Sequence, residues 1–417
     1  VAGGTELIGQ MSARIHTPEW VMSMRNQGLA ESKIQAILKD IDGTYATWTE
    51  NTFPGLLGNV VSGRIANRFN LKGTNCVLDA ACASSLAAVK MAVQELQLGT
   101  TDMVVTGGSD ALNDIFMYMC FSKTTALSPT EDCKPFSDTG DGTVLGEAVA
   151  MMSLKRLEDA ERDGDKIYAV ISSVGSSSDG KSGSIYAPDS VGQSLAIKRA
   201  YEGAGFSPND IDLVEAHGTG TMAGDYSEFN GLKLAYGETE FNQYCALGSV
   251  KSMIGHTKSA AGASSMLKIA MALNNKILPP TLKIERPNPK LKIEESPFYL
   301  NTYARPWIHH ESSSRKAGVS SMGFGGTNFH VALEEYDNAT FRPKKVYRQK
   351  KELLLFSTDD AGQLIAELTK MIDKWRIDAK TNKHYDLLKI VLDESGYSEM
   401  LKNKKDLENE NRLENIK

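Results

Sequence analysis

The chain has 417 residues, of which 41% are hydrophobic and 24% charged, and its formal net charge is −6. These proportions are ordinary for a globular protein and exclude a disordered, collagen-like or disulfide-framework chain. The acidic balance argues against a nucleic-acid partner. No stretch of sequence approaches the ~20 consecutive apolar residues of a membrane span, so we expect no membrane association.

Apolar strands alternate with helices along most of the chain. In chain order, the pattern predicts strands at 75–79, 102–106, 147–154, 167–174, 211–216, 245–249, 316–321 and 328–333. It predicts helices at 84–96, 155–162, 192–203, 224–236 and 260–273. This alternation favours an α/β layered fold. Several strands are apolar along most of their length, as in a sheet covered on both faces.

The composition changes after Tyr336, where basic and polar runs begin. Beyond that point the pattern predicts a strand at 353–356 and an amphipathic helix at 362–375, and the last residues from 402 onward are mostly charged or amidic. We therefore place a domain boundary near 336 and expect two regions, 1–336 and 337–417.

The five cysteines are odd in number and widely spaced, so we expect neither a disulfide framework nor a structural metal site. A reducing cytoplasm suits such a chain. The sequence begins at Val1 without a signal-like leader, and its motifs start early. We therefore expect a cytoplasmic segment taken from a longer polypeptide.

Cys82 follows a predicted strand in a turn of small residues, and a predicted helix begins just after it. A thiol at the N-terminus of a helix is expected to have a lowered pKa, which favours the nucleophilic thiolate. The alternative is a cysteine packed between strand and helix. The segment by itself leaves both interpretations open.

Two histidines lie in polar loops that directly follow predicted strands. His217 stands in the first loop, and Lys251 and His256 share the second. Loops at strand ends often carry catalytic residues. Taken singly, each histidine is also compatible with a structural role.

A glycine-rich segment, Gly323 to Asn328, separates the last two predicted strands. It lacks the spacing and the following helix of a dinucleotide fingerprint. Such a turn can donate backbone N–H groups to an oxyanion, or it can be a plain hairpin connection.

Two competing interpretations are disfavoured. Residues 175–182 match the P-loop pattern, but Gly183 and Pro188 interrupt the helix that a P-loop requires. A papain-like hydrolase needs one histidine, one asparagine and a local signature around its cysteine, and that signature is absent around Cys82.

Together, the four segments around Cys82, His217, His256 and Gly323 resemble the β-ketoacyl synthases of type I polyketide and fatty acid synthases, from about Asn51 to Tyr336. The motif Asp-Ala-Ala-Cys-Ala and the stretch from Met117 to Thr124 resemble most closely the polyunsaturated fatty acid synthases and the iterative enediyne-type polyketide synthases. The resemblance implies a thiolase-like fold, a five-layer α/β/α/β/α sandwich of two related halves. The first strand and helix of that fold are expected to be missing here, so that the fold is N-terminally truncated.

The resemblance also implies roles for individual residues. Cys82 would be the acylated nucleophile, and His217 and His256 would serve decarboxylation of a malonyl thioester. Lys251 would order the site, and Phe324 would contribute a backbone N–H to the oxyanion hole and gate the acyl pocket. The residues expected to contact the substrate are Thr219, Thr221 and Asn328.

The same resemblance implies that no cofactor or metal is bound by this domain, because the substrates travel on the phosphopantetheine of an acyl carrier protein. The expected partners are the carrier protein and acyltransferase domains of the same synthase, and a second copy in a homodimer. Residues 337–417 would begin the linker towards the acyltransferase.

Two further interpretations stay open from the sequence. A thiolase-type acyl-CoA acyltransferase normally has a second cysteine near its C-terminal glycine motif, and no cysteine follows Cys245 here. A non-elongating, chain-length-factor-like scaffold would have lost Cys82 or His256, and both are present.

Overall fold

A computed structural model of the chain describes residues 24–44, 50, 52–181, 183–184, 187–239, 241–309, 314–336, 361–381, 390–391 and 393–394. The chain divides into two compact units, residues 1–342 and 343–417. The helices with bounds inside the described part of the first unit include α1 (Glu31–Thr44), α2 (Thr52–Leu56), α3 (Asn59–Phe69), α4 (Ser84–Gln97), α5 (Ile115–Lys123), α6 (Leu157–Arg162), α7 (Ser190–Ala204), α8 (Met222–Tyr236), α9 (Lys251–Ile254) and α10 (Ala261–Asn275). The second unit contains α11 (Ala361–Thr381).

The strands are β1 (Met103–Asp110), β2 (Ala148–Lys155), β3 (Val170–Ser178), β4 (Leu213–Glu215), β5 (Cys245–Gly248), β6 (Ile277–Leu278), β7 (Phe298–Leu300), β8 (Arg305–Pro306), β9 (Lys316–Gly323) and β10 (Thr327–Glu334). Six of them form one mixed sheet in the order β3-β10-β9-β4-β5-β7. The strands β3, β10 and β9 pair antiparallel, whereas β4 is parallel to both β9 and β5. The expected α/β architecture is confirmed.

Apolar side chains cover both faces of this sheet. Neighbouring residues of β4 point to opposite faces, and accordingly Val214 packs with residues of α7 and α8, while Leu213 packs with residues of α4 and α10. Both side chains are almost completely buried. The apolar strands therefore form a sheet that is covered on both faces, as predicted.

The helices α4 and α10 also lie against a second, two-stranded sheet. Strands β1 and β2 pair antiparallel from Met103↔Lys155 to Asp110↔Ala148, and Met152 and Leu154 of β2 pack on the cluster that contains α4 and α10. The described layers are therefore α7 and α8, the six-stranded sheet, α4 and α10, and the β1–β2 pair.

Residues 75–79, which the sequence predicts as a strand, are not one. They belong to no ladder among the described residues, since β1 pairs with β2 alone. An apolar run becomes a strand only where a neighbour completes its backbone hydrogen bonds. The segment is nevertheless fixed at its end, because Asp79 accepts a hydrogen bond from the Ala81 N–H at 2.9 Å.

Helices α3 and α5 are not predicted from the sequence. Helix α5 carries apolar residues all round, so it has no 3.6-residue periodicity to detect. Its one signal was the N-cap Asp114, whose carboxylate accepts the Met117 N–H at 2.9 Å.

Two predictions concern the second unit. The helix predicted at 362–375 lies within α11 and is confirmed. The predicted strand at 353–356 and the charged end from 402 onward lie outside the described residues. No helix among the described residues is both long and apolar enough to span a bilayer.

Candidate active site

Cys82 occupies a tight turn that leads into α4. Residues Ala81–Ala83 form a single 3₁₀ turn, and Ala81 has a left-handed backbone with φ of 49°. Such a φ is strained for a residue with a Cβ. Ser84 holds the turn closed: its Oγ donates to the Ala81 carbonyl at 2.6 Å and accepts the Ala80 N–H at 2.9 Å.

The two predicted histidines meet at this cysteine. The thiol of Cys82 and one ring nitrogen each of His217 and His256 all lie within 4.8 Å of one another. The two imidazole rings are 5.4 Å apart at an angle of 84°. The topology explains the meeting, because β4 and β5 are parallel neighbours and the loops that follow them open at the same edge of the sheet.

One backbone contact and one side-chain contact indicate which ring nitrogen of each histidine carries the hydrogen. The Lys258 N–H donates to His256 Nδ1 at 3.0 Å, so the hydrogen of that neutral ring is on Nε2. The Lys251 ammonium lies 3.4 Å from His217 Nδ1 and also donates to the His217 carbonyl. Both imidazoles are therefore left with Nε2–H as the group free to donate.

Burial lowers the pKa of both histidines well below the ordinary value, and the positive charge of Lys251 lowers it further. The two rings are therefore neutral near pH 7. Burial also lowers the pKa of Lys251, while the carboxylate of Glu228 acts in the opposite direction.

The group of one thiol and two imidazoles has the composition of a zinc site, but its hydrogen bonds do not fit one. A metal-bound histidine donates its second N–H to an acceptor. Here the second nitrogen of each ring faces a donor, Lys258 N–H or the Lys251 ammonium. The arrangement suits donation of hydrogen bonds to a substrate oxygen.

The electrostatics of Cys82 differ from the sequence expectation. The residue borders a cavity, yet protein atoms crowd its sulfur, and burial raises the pKa of the thiol above its ordinary value. The positive charge of Lys251 and the backbone N–H groups of Phe324 and Cys82 act in the opposite direction without reversing the shift. The predicted lowering of the Cys82 pKa is therefore wrong.

The glycine-rich segment is a hairpin turn pressed against the cysteine. A Cβ on Gly323 would lie 2.2 Å from the Ala80 carbonyl oxygen, so only glycine fits there. Gly325 and Gly326 have φ of 111° and 80°, which favour glycine as well. The turn thereby brings the Phe324 N–H to the sulfur of Cys82, while the Phe324 side chain is 56% exposed.

Three residues were expected to contact substrate. Thr219 and Thr221 border the cavity with their hydroxyls 2.8 Å apart. Asn328 also borders the cavity; its side chain is almost fully buried, and one hydrogen of its amide is donated to Asp179 Oδ1 at 2.6 Å. Asp179 comes from the P-loop-like segment, after which the next helix of the described chain begins only at Ser190.

A cavity of about 1740 Å³ opens beside these residues. Its lining includes the three clustered side chains and both threonines, and it continues along apolar residues of α5 such as Met117 and Phe121. It therefore offers a polar reacting end and an apolar extension.

The chain matches three family descriptions in succession. Residues 22–160 match "Beta-ketoacyl synthase, N-terminal domain", residues 168–285 match "Beta-ketoacyl synthase, C-terminal domain", and residues 287–398 match "Ketoacyl-synthetase C-terminal extension". The chain belongs to the β-ketoacyl synthase family.

Two curated relatives of this β-ketoacyl synthase are much longer. One component of the polyunsaturated fatty acid synthase of Thraustochytrium sp. is 41% identical over 89% of this chain and 13% of its own length. Polyketide synthase PksL of Bacillus subtilis is 38% identical over 75% of this chain and 7% of its own length. The chain thus spans a small part of each of these relatives.

Solved structures confirm the predicted thiolase-like fold of the synthase. The ketosynthase from module 6 of the bacillaene synthase of Bacillus subtilis 168 is 39% identical, with a TM-score of 0.67 over 70% of this chain and 53% of that one. The oxazolomycin ketosynthase domain OzmH KS7 of Streptomyces albus JA3453 is 30% identical, with a TM-score of 0.65 over 81% of this chain and 60% of that one.

The buried carboxylates that hold the two histidine loops are not predicted from the sequence. Glu228 of α8 accepts the N–H groups of His217 and Gly218 at 2.6 and 2.7 Å. Glu215 accepts the Val250 N–H and pairs with Lys268 at 2.6 Å. The available signal was an acidic residue in the middle of an apolar strand or helix, where an unpaired charge is costly.

Asp225, one turn before Glu228, accepts the N–H groups of Phe136 and Gly220 at 2.7 and 3.1 Å. Burial raises the pKa of its carboxyl to about 7. Together with Glu228, it fixes the loop that carries His217 and Thr219.

Proposed function

We propose that the chain catalyses decarboxylative Claisen condensation of an acyl thioester with a malonyl thioester, both carried by an acyl carrier protein. The single observation that carries this proposal is that the Cys82 sulfur and one ring nitrogen each of His217 and His256 lie within 4.8 Å of one another. One nucleophile and two donors match a reaction in which one carbonyl is attacked and a second becomes an enolate.

In the first half-reaction, the Cys82 sulfur attacks the acyl thioester carbonyl. The tetrahedral oxyanion is stabilised by the backbone N–H groups of Cys82 and Phe324. Collapse expels the carrier thiolate, which takes up the thiol proton, and leaves the acyl group on Cys82. Lys251 supports this step because its positive charge favours the thiolate.

In the second half-reaction, the malonyl carboxylate leaves as CO₂ and its bonding electrons pass to the thioester, giving an enolate. His217 and His256 donate Nε2–H hydrogen bonds to the enolate oxygen. The enolate carbon then attacks the Cys82 thioester, and the thiolate of Cys82 leaves. The product is a β-ketoacyl chain on the carrier.

The residues around the reacting groups bind and orient the substrate. Thr219 and Thr221 hold the phosphopantetheine arm, and Phe324 gates the acyl end of the cavity. Asn328, which borders the same cavity, contacts the substrate and is held in place by its bond to Asp179. The domain binds no cofactor of its own.

We further propose the setting in which the domain works. Its partners are the carrier protein and acyltransferase domains of the same synthase, and a second copy in a homodimer in the cytoplasm. This proposal is supported by the sequence similarity to polyketide and polyunsaturated fatty acid synthases. Those relatives are much longer than this chain and so have room for further domains.

Intact-mass measurement after incubation with an acyl thioester tests the assignment of the nucleophile. We expect one acyl adduct on the parent chain and on the control Cys76→Ala, and none on Cys82→Ala. Adding malonyl carrier protein should then yield the β-ketoacyl product and CO₂. A folded parent chain that forms no adduct would contradict the proposal and favour a non-elongating scaffold.

A further inference from the structure

Lys258 is a buried lysine beside the active site that the mechanism above does not use. Its ammonium donates to Asn113 Oδ1 at 2.6 Å and to the Gly146 carbonyl at 2.9 Å, and it pairs with Asp110 Oδ1 at 3.1 Å. An ammonium has three hydrogens, and three acceptors surround this one. The side chains of Lys258 and Asp110 are only 6% and 8% exposed.

The backbone of Lys258 is held in an unusual conformation. Its φ is 49°, in the left-handed region that non-glycine residues rarely adopt. Such strain persists only where the surroundings hold it. In this conformation, the Lys258 N–H reaches His256 Nδ1, the contact that places the imidazole hydrogen on Nε2.

The groups that hold the Lys258 ammonium also contact Ser259 and the backbone of His256 itself. Asp110 Oδ2 accepts the N–H and the hydroxyl of Ser259 at 3.2 and 3.0 Å. Gly146, whose carbonyl receives the Lys258 ammonium, also donates its own N–H to the His256 carbonyl at 3.0 Å. The loop that carries His256 is thus held by Asp110, at the end of β1, and by Gly146.

We propose that Lys258 is a positioning residue for His256, an inference that rests on the proposed function. The anchored ammonium holds the left-handed turn, and the turn keeps the Lys258 N–H on His256 Nδ1. The imidazole therefore keeps presenting Nε2–H to the malonyl thioester oxygen. Without the anchor, the turn relaxes towards an ordinary backbone conformation, and the ring is free to carry its hydrogen on Nδ1.

The variant Lys258→Met removes the anchor. We expect malonyl decarboxylation to fall by about 10- to 100-fold, comparable to the loss of an outer-shell partner that orients a metal-bound histidine. Acylation of Cys82 should stay close to that of the parent, because His256 acts in the second half-reaction. Nitrogen-15 NMR of labelled histidines should show the Nε2–H tautomer of His256 in the parent and an added Nδ1–H form in the variant.

A matched control and a double variant separate this role from a purely structural one. Lys276 also has a left-handed backbone, with φ of 55°, and pairs with Glu335 at 3.8 Å, but it does not border the cavity. Lys276→Met should behave as the parent does. Lys258→Met/Asp110→Asn leaves no unpaired buried carboxylate and should fold while remaining slow in decarboxylation.

The proposal is overturned if a folded Lys258→Met chain decarboxylates at the parent rate or keeps the parent tautomer. It is equally overturned if the double variant regains the parent rate, since the unpaired Asp110 would then be the whole defect. If Lys258→Met does not fold, Asn113→Ala is tested instead, because it removes one acceptor of the Lys258 ammonium. We then expect a smaller fall in the rate of malonyl decarboxylation, and a parent-like rate would overturn the proposal. Failure of the proposed function differs from all of these, because the parent chain itself would then neither be acylated nor release CO₂.

Discussion

At Cys82, two opposing effects act on one thiol. A helix N-terminus stabilises a nearby anion by about 0.3–1 kcal/mol at an exposed position, whereas full burial can raise the pKa of an acid by up to about 3–5 units. Burial is the larger effect here, so the pKa of Cys82 is raised. The sequence reveals the helix start after Cys82, but it does not reveal how densely the glycine turn packs against the sulfur.

This raised pKa predicts how the reactivity of Cys82 depends on pH. Since only the thiolate reacts, the rate of alkylation by iodoacetamide should rise with pH to a midpoint above the ~8.5 of a free cysteine. Lys251→Met removes a nearby positive charge and should move the midpoint higher still. The measurement is the alkylation rate by intact mass, with Cys82→Ala to subtract other cysteines; a midpoint at or below that of free cysteine would contradict it.

At the scale of elements, the strand-end loops were predictable and the contacts that hold them were not. His217 and His256 follow apolar strands in recognisable segments, so their placement at one sheet edge follows from parallel pairing. Glu228, Glu215 and Lys258 act through hydrogen bonds to residues distant in sequence. These hydrogen bonds depend on how the helices pack in three dimensions, so they cannot be predicted from the local sequence pattern.

The close approach of the glycine turn to the Cys82 turn predicts the effect of one added methyl group. Gly323→Ala would place a Cβ on the Ala80 carbonyl, and overpacking of this kind costs about 1–3 kcal/mol of unfolding free energy. The Phe324 N–H would move away from the sulfur, so acylation of Cys82 should slow as well.

Urea unfolding and intact-mass acylation kinetics measure the two effects of Gly323→Ala. Gly183→Ala is the control, because a Cβ there meets nothing within 4 Å. If Gly323→Ala matched the control in both measurements, the turn would not constrain the site in the way described.

For the whole molecule, three buried histidines link stability to pH. His217, His256 and His330 all have lowered pKa values because of burial, that of His330 lying at about 3. At these three side chains the unfolded chain therefore binds more protons than the native one below about pH 6.5, and each histidine makes the fold less stable on acidification. Asp225, with a pKa raised to about 7, acts in the opposite direction over part of this range.

The contribution of His330 can be isolated by difference. It is fully buried, is not part of the cavity lining, and is bonded through Nδ1 to Ser320 Oγ at 2.8 Å. Between neutral and mildly acidic pH, the free energy of unfolding should fall by less in His330→Gln than in the parent chain. This difference should hold even if the variant is less stable than the parent at neutral pH. Thermal unfolding at several pH values measures this, and parallel curves for the two chains would rule it out.

The layered arrangement of the molecule was predictable to different extents. The alternation of apolar strands and helices was sufficient to predict five of the six strands of the large sheet and its covering helices, but not the short edge strand β7. It did not predict that residues 75–79 stay outside a ladder, or that α5 is a helix, because pairing partners and uniformly apolar helices leave no periodic signal.

The tautomers of the two imidazoles bear on the lifetime of an acyl group carried by Cys82. A water molecule hydrolyses a thioester efficiently when a neighbouring base accepts its proton. His256 Nδ1 is occupied by the Lys258 N–H, His217 Nδ1 faces the Lys251 ammonium, and each Nε2 already bears a hydrogen. With these tautomers neither ring offers a lone pair to water, so we expect an acyl chain on Cys82, in the proposed reaction, to be protected from hydrolysis until a carbon nucleophile attacks.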